Sequence, residues 1–454
     1  MSEPIVLAVV GHTNTGKTSL LRTLTRDAAF GEVADAPGTT RHVEGVRLLA
    51  DGATVARLYD TPGMEDAVAL LAFIGTLNAR GERLDGPERI ARFLDAPPAR
   101  GRFEQEAKVL RQMLESDAAL YVVDARDPVL AKHRDELEIL IACGKPLLPV
   151  LNFVAGPGAQ PDQWRAALAR LGLHAVVDFD TVAPEFDGER RLFESLATLM
   201  NAYRPALQKL IQTREREARL RLQVARRLVA DLLVSLAARR DVVESSDDAA
   251  MQPAIANLRC AVREAEQTCV KALLELYRFG PGDIRTDDLP LVEGRWRDDL
   301  FHPETLKNMG VRIGSGLATG AAVGMGVDLA VGGLTLGTAT AVGAAVGGVW
   351  QTLGHYGGRL LGRIRGYREL TVDDAILRLI ALRQMRLLKA LAGRGHAAVS
   401  PVVLDGREDA AMQRWREGRL PKALERARAH PEWSDNRDGG EKREETVRAV
   451  EQTL

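Results

Sequence analysis

One eight-residue stretch, GHTNTGKT at 11–18, constrains the fold of this chain more than any other. It matches the pattern G-x-x-x-x-G-K-[S/T], and it lies between the apolar run IVLAVV at 5–10 and a helical pattern. In this setting the glycines permit a tight loop whose backbone N–H groups surround phosphates. Lys17 places a charge on the β- and γ-phosphates, and the Thr18 hydroxyl binds Mg²⁺. The predicted nucleotide contacts from this loop are Gly11, Asn14, Thr15, Gly16, Lys17, Thr18 and Ser19.

The rest of the N-terminal half has the pattern of an α/β fold. Residues 1–204 alternate short apolar runs with helical patterns, as a doubly wound, mostly parallel sheet does. Predicted strands are 5–10, 46–50, 54–60, 118–124, 146–152 and 175–179. Predicted helices begin near Lys17 and cover 131–144, 161–172 and 190–203. After Pro205 the strand signal nearly vanishes, so 205–454 is predicted to be a mainly α-helical domain. Its predicted long helices are 207–240, 257–277 and 372–393.

Two further motifs follow the loop where nucleotide chemistry requires them. DTPG at 60–63 ends a predicted strand, where Asp60 would face Mg²⁺ and Gly63 would sense the γ-phosphate. The same letters also suit an ordinary strand-to-turn exit, since Asp, Pro and Gly favour turns. PGTTR at 37–41 lies between the loop and DTPG, in the place of a first switch loop. One threonine there should reach Mg²⁺ when the γ-phosphate is present.

In this order and spacing, GHTNTGKT, PGTTR and DTPG resemble the bacterial GTPase class that contains the Era, EngA and TrmE proteins. The resemblance covers residues 1–204 and implies GTP as the ligand. In that class, an Asn in the loop and the first Thr of the switch pair help to hold a monovalent cation, and the second Thr binds Mg²⁺. The metal ligands so implied are Thr18, Thr40 and Asp60 for Mg²⁺, and Asn14 and Thr39 for K⁺. Catalytic roles are predicted for Lys17, Thr40, Asp60 and Gly63.

The segment after DTPG is unusual in two ways. Met64 stands where some GTPases keep a water-orienting Gln, and Met cannot orient water, so slow intrinsic turnover is predicted. More than fifty residues then separate Met64 from the next predicted strand, and this insertion at 65–117 carries helical patterns at 86–95 and 103–117. The insertion is either an addition to the fold without a role in the switch or an effector element coupled to the γ-phosphate sensor.

The stretch VLNFVAG at 150–156 stands where guanine-specific enzymes carry Asn-Lys-x-Asp. Asn152 is kept, Phe153 replaces the Lys, and Ala155 replaces the Asp that accepts hydrogen bonds from guanine. Phe153 could stack where the Lys stem lies. The next predicted strand leads into DFDT at 178–181, where Asp178 or Asp180 could provide the missing carboxylate. The alternative is that both are ordinary acids at the end of a strand.

The C-terminal half contains a glycine-saturated segment at 310–366, within which small residues recur every four positions. On a helix this spacing permits close helix–helix contact. This pattern has two possible interpretations. The segment is either a membrane-associating helical hairpin with Asp328 near its turn, or a hairpin of small-residue helices packed within the domain. The flanking stretches at 207–240 and 359–394 are Arg-rich and favour anionic lipid surfaces or RNA, or form solvated helix faces. The polar tail at 434–454 has the composition of a partly disordered segment.

Whole-chain properties limit the remaining choices. The formal net charge of -1 argues against a general nucleic-acid binder, and three cysteines without paired spacing argue for a reducing compartment. No signal-peptide pattern begins the sequence, so a cytoplasmic address is expected. The order of the two halves resembles a bacterial two-domain GTPase family whose C-terminal part is a domain of unknown function, of the DUF3482 type.

The sequence thus predicts a GTPase switch, bound to guanine nucleotide and Mg²⁺, that acts at the inner face of the cytoplasmic membrane. The first alternative is a nucleotide-gated RNA- or ribosome-binding factor, although no KH-like GXXG module or aromatic stacking platform in the C-terminal half supports it. The second is an interaction protein that binds nucleotide without turnover. A protein effector and pairing between two GTPase domains are both compatible with the sequence.

Overall fold

The computed structural model describes most of the chain. The described residues are 3–26, 44–77, 84–181, 187–244, 248–279, 291–292, 295–311, 327–330, 367–392, 410–435 and 440–454. By its internal contacts the chain divides into two compact units, with the division between Arg219 and Leu220.

The first unit is built on a six-stranded sheet in the order β2-β3-β1-β4-β5-β6. The strands are β1 Ile5–Val10, β2 Glu44–Ala50, β3 Ala53–Asp60, β4 Ala118–Asp124, β5 Leu147–Asn152 and β6 Val177–Asp178. β2 pairs antiparallel with β3, and the other pairings are parallel. The predicted doubly wound, mostly parallel sheet is therefore confirmed. The sixth strand is shorter than predicted, at two residues.

Hydrophobic residues cover both faces of this sheet, as a parallel sheet requires. Along β1, Ile5, Leu7 and Val9 belong to one hydrophobic core, whereas Ala8 and Val10 belong to a second core on the opposite face. The helices of this unit are α1 Lys17–Thr25, α2 Ala67–Thr76, α3 Gly86–Asp95, α4 Glu104–Glu115, α5 Ala131–Ala142, α6 Pro161–Ala169, α7 Gly188–Leu199 and the start of α8 Arg204–Ala238.

The insertion at 65–117 forms three helices among its described residues. α3 and α4 match the predicted positions closely, but α2 was not predicted, because its sequence AVALLAFIGT is apolar on every side and shows no helical periodicity. α3 begins with a capping box, in which Asp85 accepts from the Glu88 N–H and Glu88 accepts from the Asp85 N–H.

The second unit is mainly helical, as predicted, and has a core of its own. Its further helices are α9 Asp248–Leu276, α10 Pro303–Asn308, α11 Asp374–Ala392, α12 Ala410–Glu417, α13 Lys422–Ala427 and α14 Gly440–Glu451. It also contains strands, which the sequence analysis missed. They are β7 Arg240–Glu244, β8 Leu291–Val292, β9 Arg295–Trp296, β10 Val327–Ala330 and β11 Tyr367–Val372.

Three expectations about the second unit need correction. The helix predicted at 207–240 ends at Ala238, and the residues from Arg240 form strand β7 instead. Asp328, expected near the turn of a helical hairpin, lies in β10, which pairs antiparallel with β11 in a sheet of order β10-β11-β7. The rest of the glycine-rich hairpin prediction, at 312–326 and 331–366, falls outside the described residues.

The third correction concerns the tail, which was expected to be partly disordered. Gly440–Glu451 instead forms α14, with Val447 and Val450 fully buried. Its Arg443 donates to Asp231 of α8 at 2.9 Å, and its Glu444 pairs with Arg227 of the same helix. Few apolar residues are enough to anchor this helix because ion pairs to α8 flank them. Among the described residues, none of the helices is both long enough and apolar enough to cross a bilayer.

Candidate functional site

The loop GHTNTGKT lies between β1 and the first turn of α1, and the backbone N–H groups at a helix N-terminus favour an anion. Asn14 has a φ of 61° and Gly16 a φ of 92°, both in the left-handed region that lets the chain turn back on itself. A Cβ atom at Gly16 would lie 2.2 Å from Nδ2 of Asn152, so only glycine fits there. The predicted phosphate-binding residues are therefore brought together in one loop.

Lys17 is the first residue of α1 and is buried. Its Nζ donates to the carbonyl oxygens of Gly11 at 2.9 Å and His12 at 2.6 Å. Burial lowers the pKa of Lys17, and the nearby carboxyls of Asp60 and Glu136 oppose that effect. An ammonium group held over the loop in this way is placed to bind an anion that the loop N–H groups also bind.

Thr18 and Asp60 form the oxygen-donor part of the site. The Thr18 Oγ1 atom donates to Asp60 Oδ2 at 2.5 Å, and both side chains are buried. A hydroxyl and a carboxylate are ligands that Mg²⁺ prefers, and the pair joins the end of β3 to α1. The donor set therefore fits Mg²⁺. Thr39 and Thr40, the other implied metal ligands, lie outside the described residues.

The DTPG turn lies directly against the loop. A Cβ atom at Gly63 would lie 2.7 Å from the backbone nitrogen of Thr13, so this close approach requires glycine. Thr61 Oγ1 donates to the carbonyl oxygen of Val9 and ties the turn to β1. The Met64 side chain is fully buried and belongs to the hydrophobic core on one face of the sheet.

Asn152 joins the phosphate end of the site to the base end. Its Nδ2 donates to the Thr15 carbonyl oxygen at 3.0 Å, while its Oδ1 accepts from the backbone nitrogens of Phe153 and Thr181, both at 2.9 Å. The Thr181 hydroxyl also donates to Oδ1, at 3.1 Å. Asn152 is fully buried, so these hydrogen bonds fix the loop after β5 and the loop after β6 against the phosphate loop.

Phe153 and its neighbours form the base end. Phe153 has a φ of 57°, and the Arg126 guanidinium lies 4.1 Å from the centroid of its ring. Asp124 at the end of β4 holds Arg126 by two hydrogen bonds of 2.6 and 2.9 Å, and this pairing raises the Arg126 pKa. The sequence analysis did not single out Arg126. The stretch DAR after the fourth predicted strand gave no signal beyond an ordinary strand end.

The structure separates the two candidate carboxylates. Asp178 forms a 2.5 Å ion pair with Arg165 of α6. Asp180 is buried, and its Oδ2 accepts from the backbone nitrogen of Ala155 at 3.5 Å. Asp180 therefore contacts the residue that replaced the usual acid, whereas Asp178, the other predicted base-binding carboxylate, pairs with Arg165.

A cluster of ionisable side chains that the sequence analysis missed flanks the phosphate loop. His12 Nε2 lies 2.9 Å from Lys132 Nζ, and His12 Nδ1 lies 3.9 Å from Glu136 of the same helix, α5. Burial raises the pKa of Glu136 to about 8, although Lys17 and Lys132 and a hydrogen bond from Tyr121 oppose the shift. Burial and the charge of Lys132 lower the pKa of His12. No short motif encodes this cluster, because it forms only when α5 packs on the loop.

The sheet order, the phosphate loop, the Thr18–Asp60 pair and the DTPG turn define a P-loop GTPase domain, a class of GTP hydrolase. The family described as 50S ribosome-binding GTPase matches residues 6–153. The chain as a whole belongs to the family described as Domain of unknown function (DUF3482), which matches residues 165–454, more than half of the chain. Both resemblances proposed from the sequence are confirmed.

Curated relatives match part of the chain. Translation initiation factor IF-2 of Clostridioides difficile is 29% identical over 171 residues, which are 37% of this chain and 20% of that protein. The same factor from Rubrobacter xylanophilus is 27% identical over 173 residues, or 38% of this chain and 19% of that protein. The chain thus spans about a fifth of the length of these relatives.

Solved structures similar to this chain include two bacterial GTPases. Era of Aquifex aeolicus bound to GDP and aluminium fluoride is 20% identical, with 39% of this chain and 50% of that chain covered and a TM-score of 0.28. The G domain of the T. maritima FeoB iron transporter is 21% identical, with 43% and 99% covered and a TM-score of 0.26.

Proposed function

We propose that this protein is a GTP-driven conformational switch that binds GTP with Mg²⁺ and hydrolyses it slowly. The observation that carries the proposal is the convergence of Lys17, the Thr18–Asp60 pair and Gly63 on one loop. Lys17 would bind the β- and γ-phosphates, and Thr18 and Asp60 would hold Mg²⁺ directly or through water. Gly63 would report the γ-phosphate through its backbone N–H.

The remaining metal roles rest on the family resemblance. In this proposal Thr40 completes the Mg²⁺ site, and Asn14 and Thr39 hold K⁺ near the phosphates. Asn14 lies within the phosphate loop, has a left-handed backbone conformation and is exposed. Because the Met64 side chain is buried, K⁺ and backbone groups would have to stabilise the transition state.

The rate of phosphate release tests these metal roles. We expect turnover that needs Mg²⁺ and increases when Na⁺ is replaced by K⁺. Hydrolysis that is fast and indifferent to that replacement would contradict the K⁺ assignment. Binding of GTP without any phosphate release in K⁺ would instead favour an interaction protein without turnover.

At the base end, we propose that Asp180 takes the role of the missing Asn-Lys-x-Asp carboxylate. It is buried next to Ala155, and the neighbouring Thr181 is fixed by Asn152, so its carboxylate has a defined position. A carboxylate there would accept hydrogen bonds from guanine N1–H and the exocyclic amine, which adenine does not offer in that arrangement. Phe153 would contact the purine ring, supported by Arg126 behind it.

Exchange of the carboxylate for an amide tests this assignment. Asp180→Asn should weaken GTP binding and strengthen XTP binding, because an amide N–H repels the guanine amine but pairs with the xanthine 2-oxygen. Each hydrogen-bonding group of the base that is left without a matching partner should reduce the binding free energy by about 1–3 kcal/mol. Asp178→Asn is the matched control, since Arg165 already binds that side chain. Unchanged base preference in Asp180→Asn would refute the assignment.

We also propose that the second unit brings the switch to an anionic membrane surface. Helix α8 is rich in Arg, and on it Leu220 and Val224 lie one turn apart with 54% and 47% of their surface exposed. Exposed apolar residues between cations suit a lipid headgroup region.

Co-sedimentation with vesicles that contain phosphatidylserine, with and without a GTP analogue, tests this surface. The wild type should pellet with these vesicles but not with neutral ones, and Leu220→Asp with Val224→Asp should reduce the bound fraction. Co-purification with RNA and no vesicle binding would favour the RNA- or ribosome-binding alternative.

A further inference from the structure

The backbone that follows Gly63 is held by a side chain of the insertion. Glu106 of α4 is buried, with 3% of its surface exposed. Its Oε1 atom accepts from the backbone nitrogen of Glu65 at 3.1 Å and from that of Asp66 at 3.0 Å. One carboxylate oxygen from forty residues further along the chain thus fixes the two peptide groups that lead from the DTPG turn into α2.

Other contacts hold the same short segment from its other sides. Asp66 caps α2 by accepting from the Ala69 nitrogen at 3.1 Å, and Arg102 of the insertion reaches the same carboxylate at 3.1 Å. His12 of the phosphate loop forms a hydrogen bond with the backbone of Met64. Residues 64–66 are therefore held by hydrogen bonds to His12 of the phosphate loop and to Arg102 and Glu106 further along the insertion.

Glu106 is held on a rigid support. The rings of Phe73, Phe93 and Phe103 pack together, with centroid separations of 5.8–6.3 Å, and so join α2, α3 and the residue that precedes α4. Phe93 and Phe103 are buried, as are Ala107 and Leu110 of α4. Because α4 is packed in this way, a shift of the segment after Gly63 has to break the hydrogen bonds to Glu106 or move the insertion with it.

We infer that Glu106 is a positioning residue for the γ-phosphate sensor, and that the insertion is an internal clamp on the second switch. This inference rests on the proposed role of Gly63. Two acceptor contacts to consecutive N–H groups fix the peptide planes just beyond Gly63, and so fix the direction of the Gly63 N–H. The clamp gives this chain a means of ordering the sensor without a second protein. Of the two alternatives for the insertion, the clamp therefore favours an element coupled to the γ-phosphate sensor over an addition without a role in the switch.

The test compares three variants with the wild-type full chain. Glu106→Gln keeps an acceptor oxygen and should behave as the wild type. Glu106→Met has a similar length but no acceptor, and it should lower kcat and the affinity for a non-hydrolysable GTP analogue about tenfold each. GDP affinity should change less than twofold, because GDP has no γ-phosphate to contact Gly63. Glu104→Gln, on the exposed face of the same helix, should change none of these values.

Several outcomes would overturn the inference. Glu106→Met with wild-type kcat and a wild-type ratio of GTP-analogue to GDP affinity shows that the clamp does not position the sensor. Equal losses of GDP and GTP-analogue affinity, with a lowered melting temperature, show a purely structural role. Losses in Glu106→Gln as large as those in Glu106→Met rule out the hydrogen-bond explanation. Failure of the proposed function is separate, since the wild type itself would then show no GTP hydrolysis.

Discussion

The two ends of the nucleotide site are built in different ways. The phosphate end is nearly contiguous: Lys17, its carbonyl partners Gly11 and His12, and Thr18 lie within eight residues. Its distant residues Asp60 and Gly63 both come from the single turn DTPG. The base end takes its groups from separate loops, after β4, β5 and β6. A phosphate-binding site can therefore be predicted from one sequence motif, whereas base selectivity depends on how loops from distant parts of the sequence pack together.

The largest effect is expected at the phosphate end. Lys17→Ala should weaken the binding of both GTP and GDP about 100-fold or more, because charge-assisted contacts to phosphate contribute about 1.5–3 kcal/mol each. Isothermal titration calorimetry measures this directly. Lys209→Ala, which removes an exposed ion pair with Asp51, is the control and should bind normally. Full affinity in Lys17→Ala would remove the basis of the whole site assignment.

The next effect is at the junction between the two ends. Asn152→Ala leaves the Thr15 carbonyl and the Phe153 and Thr181 N–H groups without their buried partner, at a cost of about 1–3 kcal/mol. GTP affinity should fall roughly 5- to 100-fold, with an equal fall for GDP. Asn201→Ala is the control, because Asn201 is exposed. If ATP affinity rose while GTP affinity stayed constant, Asn152 would be a base-reading residue and not a junction.

A pH-dependent effect is expected near the phosphate end. Burial raises the Glu136 pKa from 4.5 to about 8, so the folded protein keeps this proton when the unfolded chain has lost it. The difference in free energy of unfolding between the wild type and Glu136→Gln should therefore be constant below pH 4.5. As the pH rises from 4.5 toward about 8, the wild type should lose stability relative to the variant. Melting temperatures across that range measure the difference. Glu138→Gln, on the exposed face of α5, should show no such trend.

The smallest effect is expected at the base end. Arg126→Ala removes the cation over the Phe153 ring, an interaction of about 0.5–1 kcal/mol, and should weaken GTP binding two- to fivefold. Fluorescence titration with a labelled guanine nucleotide can resolve this change. Arg190→Ala, in an exposed pair on α7, is the control. A loss as large as that of Lys17→Ala would mean that the base end contributes as much affinity as the phosphate end.

The same comparison explains what the sequence could predict. The phosphate loop, Asp60 and Gly63 were identifiable because each role needs one residue type at a fixed place in a strand–loop–helix unit. Asn152 was identifiable because it ends a buried strand. The different surroundings of Asp178 and Asp180 were not, since they depend on the pairing of Asp178 with Arg165 of α6. Arg126 and Glu106 gave no local signal, because their contacts join residues that are far apart in sequence or belong to no motif.

The second unit shows the same limit. Its long helices were predicted from periodicity, and their existence is confirmed. The short strands β7, β10 and β11 were missed because each is four to six residues long and pairs with segments distant in sequence. Helix α14 was taken for a polar tail because just a few of its residues are apolar. Its stabilisation by Arg227 and Asp231 of α8 becomes visible only in three dimensions.

The contact between Gly16 and Asn152 also limits how the site can be re-engineered. Because Nδ2 of Asn152 occupies the space where any side chain at residue 16 would begin, a larger residue at position 16 requires a shorter one at position 152 as well. Ala155 and Asp180 do not take part in this contact. Replacing Ala155 by Asp, or replacing Asp180, therefore does not change the packing of Gly16 against Asn152. If Asp180 reads the base as we propose, nucleobase preference can be changed at residue 155 or 180 while the contacts of the phosphate loop stay the same.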